Sequence, residues 1–266
     1  MRRAPHQLSF GGAVEAYEHH SEPRFSRHPL EMDTPMRRLI RKIIRNAGFN
    51  RRIAPNFVEI IHSNNINVVL DVGANDGDFG RELRDSGYTG RIHSFEPNPV
   101  AFKRLKDRIA DDPNWSAVQY GVGNVPGMLC LNVSEADVLS SFKSLNSFSQ
   151  NSSHARVIDT VAAKIVRLDD YLNDNPALQG RPYLKIDTQG FEREVLEGLG
   201  DMFDKMVAIQ VETSLIHSYV GEADWIDSLI YMRERGFEVA TMICNSAVPN
   251  RAKVREFDIV YVRSDA

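Results

Sequence analysis

Along this chain, short continuous apolar runs alternate with polar stretches of helical period. Val68-Val69-Leu70-Asp71-Val72 is such a run; it ends in the turn Gly73-Ala74-Asn75-Asp76-Gly77, and Phe79-Gly80-Arg81-Glu82-Leu83 continues it as a helix. A strand apolar on both faces, a glycine turn and a helix make the first βα unit of an open parallel sheet. Residues 91–96 repeat the strand and stop at Pro97-Asn98-Pro99, which starts a helix over 100–110. A third strand is predicted at 117–123, a fourth at 183–187 with the helix 191–199 after it, and a fifth at 206–212. The helix 224–235 then leads to two strands, 237–243 and 256–262, with no helix between them. That pair predicts a hairpin at the sheet edge with one antiparallel member. A helix over about 55–63 leads into the first strand.

Two regions break this rhythm. Residues 1–35 show no sustained period and read as a mobile arm or a segment that covers a substrate. Residues 36–48 read as a basic amphipathic helix with Leu39, Ile40, Ile43 and Ile44 as its stripe and Gly48 as its C-cap. It either packs on the domain with solvated arginines or offers a patch to an anionic substrate or membrane surface. The division expected is an N-terminal arm and helix over 1–50 and a main domain over 51–266. Within the main domain, 127–133 and 163–168 read as strands flanking the serine-rich stretch 134–159, either a binding loop or lid or a disordered connector.

Composition narrows the class. With 266 residues, 42% hydrophobic and 26% charged, the chain can bury one adequate core, and a formal net charge of -4 argues against nonspecific nucleic-acid binding. No apolar run approaches the roughly 18–20 residues that span a bilayer, and the first residues lack the apolar core of a signal peptide. Cys130 and Cys244 stand alone without metal or redox spacing, which predicts buried reduced thiols and a cytoplasmic location.

Chemistry is expected where open parallel sheets hold ligands, outside the carboxyl ends of the strands. Gly73 and Gly77 are separated by three residues, so the close glycine pair that admits a pyrophosphate is missing. Asp71, Asp76 and Asp78 surround the turn, and carboxylates repel phosphate but favour a cation. S-adenosylmethionine, with a sulfonium, an ammonium and no phosphate, suits the turn better than a nicotinamide dinucleotide. Glu96 ends the second strand, 25 positions after Asp71, where a carboxylate can accept both hydroxyls of a ribose. The third strand, with Gly121, would end near the adenine. Lys185 and Asp187 share one face of the fourth strand, costly inside a sheet unless paired or used. Glu212 ends the fifth strand, with His217 five positions on.

The chain resembles the FkbM family of S-adenosylmethionine-dependent methyltransferases. The matching residues are Leu70-Asp71-Val72-Gly73-Ala74-Asn75-Asp76-Gly77, Phe95-Glu96-Pro97-Asn98-Pro99, Arg167-Leu168-Asp169-Asp170-Tyr171-Leu172 and Leu184-Lys185-Ile186-Asp187-Thr188-Gln189-Gly190-Phe191-Glu192. Val211-Glu212-Thr213-Ser214-Leu215 and Glu256-Phe257-Asp258-Ile259-Val260 extend it, for a coverage of roughly 66–263. Family members more often carry Val-Glu-Gly where this chain has Thr188-Gln189-Gly190, so no acid role passes to position 189. The resemblance implies a class I methyltransferase (Rossmann-like) α/β fold whose mostly parallel seven-stranded sheet is ordered 3-2-1-4-5-7-6. That order would gather Asp71, Asp187 and Glu212 at one carboxyl edge.

It also implies methylation of a hydroxyl, of a sugar in a glycoconjugate or of a secondary metabolite. The expected cofactor contacts are Asp71, Gly73, Ala74, Asn75, Gly77, Glu96, Pro97, Asn98 and Gly121. A neutral hydroxyl is a poor nucleophile, so a base is needed: Asp187 first, His217 second, with Lys185 keeping Asp187 ionised or anchoring a hydroxyl. A metal held by Asp187, Glu212 and His217 is the other route to an acidic hydroxyl, and none is expected. A nucleotide-dependent oxidoreductase and a noncatalytic binding module on the same fold remain open alternatives.

Overall fold

Val68–Val72 (β1) forms the centre of a seven-stranded sheet, and all five of its residues are buried because helices cover both faces. The computed structural model describes residues 55–147, 149–151, 156–248 and 253–264, so the N-terminal arm and the helix expected over 36–48 lie outside the described residues. The remaining strands are Arg91–Phe95 (β2), Trp115–Val118 (β3), Gly121–Val122 (β4), Gly127–Ser134 (β5), Val157–Val166 (β6), Pro182–Ile186 (β7), Ala208–Ser214 (β8), Phe237–Val248 (β9) and Lys253–Arg263 (β10). The helices are Phe57–Ser63 (α1), Asp78–Asp85 (α2), Pro99–Arg108 (α3), Leu168–Asp174 (α4), Glu192–Glu197 (α5) and Trp225–Arg233 (α6).

The sheet runs β3-β2-β1-β7-β8-β10-β9, which is 3-2-1-4-5-7-6 when only its own strands are numbered. In this sheet β3, β2, β1, β7 and β8 are mutually parallel, and β10 is antiparallel to both neighbours, as the missing helix between the last two strands predicts. Each face has its own core. Val69, Ile92, Tyr183 and Ala208 pack with Leu83 and Leu105 from α2 and α3, while Leu70, Leu184, Ile186 and Ile209 pack with Leu168, Val195 and Met232 from α4, α5 and α6. Local signals set the helix starts. Asn56 and Glu59 form a reciprocal capping box on α1, and Asn98 caps α3 with Pro99 in its first turn.

Two expectations need correction. The single strand predicted at 117–123 is two strands in two sheets: β3 closes the edge of the main sheet, and β4 pairs with β6 in a three-stranded sheet ordered β4-β6-β5. The chain crosses over because Gly121 has no Cβ; one would stand 2.6 Å from Ile165 and 2.8 Å from Phe142. The cysteines are exposed rather than buried, Cys130 on the open side of β5 and Cys244 on the edge strand β9. Among the described residues no helix is long and apolar enough to cross a membrane.

Candidate active site

The turn after β1 and the turn after β7 meet backbone to backbone. Gly73 has φ +80°, its N–H donates to the Phe95 carbonyl, and a Cβ there would stand 1.8 Å from the Asp187 carbonyl oxygen. Only glycine fits. Four residues on, Gly77 (φ +89°) caps α2 in the same left-handed region. Between them Asn75 is also left-handed (φ +48°), which aims its N–H at Glu96 Oε2, 2.7 Å away. The Asn98 N–H donates to the other oxygen, Oε1, at 2.7 Å. Glu96 is buried against the pocket wall, and each of its oxygens keeps acceptor capacity beyond that one bond. Burial raises its pKa, the two N–H groups pull it back, and the balance lies at about 7.

Across the pocket stands a second carboxylate with the opposite balance. Parallel register puts Ser94, Asp71, Lys185 and Gln210 in one row on one face of the sheet. Lys185 Nζ lies 3.0 Å from Asp187 Oδ2 and 3.9 Å from Asp71 Oδ1. Burial, the largest single influence, pushes Asp187 up, but the Lys185 ammonium and the hydrogen bonds it shares with Gln189, Lys185 and Glu212 together outweigh it, so its pKa falls below the ordinary value. Asp71, fully buried and farther from Lys185, is raised by the same burial. The Lys185 ammonium is itself held above its usual pKa, because Asp187 and Asp71 outweigh its burial.

Gln189 joins this carboxylate to the next strand. Its Nε2 donates to Asp187 Oδ1 (3.0 Å) and to Glu212 Oε2 (2.7 Å), and its Oε1 accepts from the Tyr219 hydroxyl (3.1 Å). Burial, then repulsion from Asp187, lifts Glu212 well above the carboxylate range.

The serine-rich stretch covers the cavity that these groups line. Asp137, Val138, Ser140, Ser141 and Phe142 face Glu96, Gly121 and Asp187 across it. The cover is tied down by Ser141 Oγ to the Gln189 carbonyl (2.6 Å), Lys143 Nζ to the Gly221 carbonyl (2.6 Å) and to Glu194 (3.1 Å), and Asn146 Nδ2 to the His217 carbonyl (2.7 Å).

Of the residues expected from the sequence, Gly73, Asn75, Glu96, Pro97, Gly121 and Asp187 share this wall. Ala74, Gly77 and Asn98 stand off the wall and build it: the Ala74 carbonyl accepts from the Gly77 N–H, and Asn98 aligns Glu96 while capping α3. Asp71 and Lys185 lie behind Asp187. His217 is not on the wall; its backbone carbonyl, five residues past Glu212, receives the Asn146 amide. Among the described residues no group of three or more His, Cys, Asp and Glu is arranged to hold a metal ion. The covering residues 137–142 fall within the stretch expected as a binding loop or lid, whereas sequence reasoning passed over Gln189 and Tyr219, whose partners lie far away along the chain. The one available signal was position 189, where the chain departs from the pattern it resembles.

A family model described as "Methyltransferase FkbM domain" matches residues 71–239. "Methyltransferase 1" of Beauveria bassiana (strain ARSEF 2860) is 25% identical over 185 residues, 65% of this chain and 72% of that protein. Among solved structures, the methyltransferase domain of bacterial CtHen1-C is similar at a TM-score of 0.43 and 11% identity, over 77% of this chain and 94% of that one. An rRNA methylase from Streptococcus thermophilus is similar at 0.42 and 11%, over 79% and 97%. Likeness at such identities concerns the fold alone.

Proposed function

The chain belongs to the FkbM family of S-adenosylmethionine-dependent methyltransferases, and on that footing we propose that it methylates a hydroxyl, of a sugar in a glycoconjugate or of a secondary metabolite, with the cytoplasm as the expected setting. The observation that carries the reading is the Asp187 carboxyl, 3.0 Å from the Lys185 ammonium, opening onto the same pocket as Glu96 with about a third of its side chain uncovered.

The residues present fit the cofactor. Glu96 retains two acceptors for two ribose hydroxyls, the acidic wall suits a cationic ligand, and Gly73 lets backbone stand where a side chain would block. When bound, S-adenosylmethionine supplies an electrophilic methyl group. Glu96 would hold the ribose, with Asn75, Pro97 and Gly121 shaping the wall around it. On the other side, Asp187 would receive the proton that the acceptor oxygen gives up as its new bond to carbon forms. Lys185 fixes Asp187 in the ionised state, so the base is ready at any pH near neutrality. The segment 137–142 would exclude the water that competes for the methyl group.

The test is incubation of the protein with methyl-labelled S-adenosylmethionine and pools of glycans and small metabolites, followed by mass spectrometry of the labelled product. Label on an oxygen, lost in the Asp187→Asn protein, supports the reading. Label on nitrogen or carbon, or transfer that survives Asp187→Asn unchanged, overturns it.

A further inference from the structure

Gln189 is a non-glycine residue in the left-handed region (φ +54°), directly after the strand that carries Asp187. Every polar group of its side chain is used. Both amide hydrogens go to carboxylates on neighbouring strands, Asp187 after β7 and Glu212 in β8, and the amide oxygen takes the Tyr219 hydroxyl. This fixes the sense of the amide, because turning it over would aim its oxygen at two carboxylates. The Tyr219 hydroxyl also lies 3.0 Å from the Leu139 carbonyl, and the Gln189 carbonyl accepts from Ser141, so both ends of the residue touch the segment that covers the pocket. A strained backbone held on three sides is the usual mark of a position kept for its geometry.

We infer that Gln189 is a positioning residue: its amide holds the Asp187 carboxylate in one orientation, joins it to Glu212 as one hydrogen-bonded unit, and ties that unit to the cover of the pocket. The inference rests on the reading of Asp187 as proton acceptor, and it makes a demand of its own. Asp187 faces Lys185 from its own strand, Asp71 from β1, Glu212 from β8, Glu192 from α5 and Asp258 from β10. Among the described residues one ammonium serves this set of acids, so the neutral donors of Gln189 supply what a second cation would otherwise supply.

Two variants at position 189 separate this role from simple packing. Gln189→Met keeps the length and loses both donors; Gln189→Glu keeps the shape and adds a carboxylate. The protein is labelled at its aspartate carboxyl carbons, and the Asp187 resonance is assigned by its absence from the Asp187→Asn protein. In the wild type Asp187 should stay ionised across pH 5–8. In both variants its midpoint should rise by at least one pH unit, more in Gln189→Glu, and Tyr219→Phe should move it the same way by less. Affinity for S-adenosylhomocysteine, read by calorimetry, should not change. An unmoved Asp187 titration in a folded Gln189→Met protein overturns the inference. Should neither position-189 variant fold, an unmoved titration in Tyr219→Phe overturns it instead. Because no acceptor is needed, the result stands apart from whether the methyl group goes to a hydroxyl.

Discussion

Glu96 and Asp187 face the same pocket, each held by a left-handed residue from a turn, yet their acidities move in opposite directions. Glu96 is held by two backbone N–H groups with no cation among the described residues beside it, and burial lifts it to about 7. Asp187 is held by a side-chain amide and an ammonium at 3.0 Å, and it is depressed. Burial is the largest influence on both carboxylates, and the neighbouring cation decides which way the balance falls. The consequences for stability also oppose. The raised group adds stability below its unfolded value near 4.5 that is lost as pH rises through about 7. The depressed one adds stability above its unfolded value that is lost as pH falls through the folded one. One side of the site suits binding that responds to neutral pH, and the other suits a base that does not.

The comparison is broken hardest at Asp187. Asp187→Asn keeps the size but cannot take a proton, so turnover should fall by about 10²–10⁴ while affinity for S-adenosylhomocysteine holds. Steady-state rates with labelled cofactor and calorimetry on the same preparation check both halves. Lys185→Met removes the cation instead, leaving Asp71 fully buried and Asp187 half-buried without a counter-charge. Breaking a fully buried pair from one side costs about 3–5 kcal/mol; with Asp187 a third exposed the loss should fall at or below the lower end of that range, and urea denaturation should show it. The loss should be larger at pH 8 than at pH 5, because protonation at low pH relieves the stranded carboxylates. An equal loss at both would mean that the lysine stem matters and its charge does not.

How much of this could be read from the sequence follows from how local each cause is. Strands buried on both faces announce themselves as apolar runs, and the missing last helix predicted the antiparallel β10. Glu96 was legible because its position is set by the end of β2 and a spacing from β1, and Lys185 with Asp187 because charges two apart share a strand face. Gln189 was not legible: it binds Glu212 23 residues on, and its carbonyl binds Ser141 48 residues back. Tyr219 reaches Leu139 across 80 residues. No period encodes such pairs. His217, the second candidate base, lies off the wall for the same kind of reason, since the chain after β8 turns and presents its backbone to Asn146. The exposed cysteines failed for another reason: β5 and β9 are edge strands with an open side, so a residue type that usually sits inside does not here.

A middle-sized effect is expected on the binding side. Glu96→Ala should leave two ribose hydroxyls and the Asn75 and Asn98 N–H groups without their acceptor, at a cost of about 1.5–3 kcal/mol, roughly 10- to 100-fold in Kd. Calorimetry with S-adenosylmethionine measures it directly. Unchanged affinity in a folded protein removes Glu96 from the cofactor site.

The smallest effect is the sharpest test of the contrast, because it needs no mutation. If Glu96 accepts both ribose hydroxyls, only its ionised form does so fully; once protonated, one oxygen becomes a donor and one acceptor is lost. With its pKa at about 7 in the free protein, cofactor affinity should be flat above neutrality and fall below it. A single proton sets the limit at about tenfold per pH unit. Binding would then pull the group down, so protons leave on complex formation, and the observed heat at pH 7 should vary with the ionisation enthalpy of the buffer. Turnover at saturating cofactor should show no such limb from Asp187, which stays ionised through the same range. The expected pattern is a KM for cofactor that rises as pH drops from 7 to 5.5 while kcat holds. If kcat falls with the KM unmoved, the two carboxylates have exchanged characters, and the Lys185 ammonium does not govern Asp187 as its 3.0 Å contact implies.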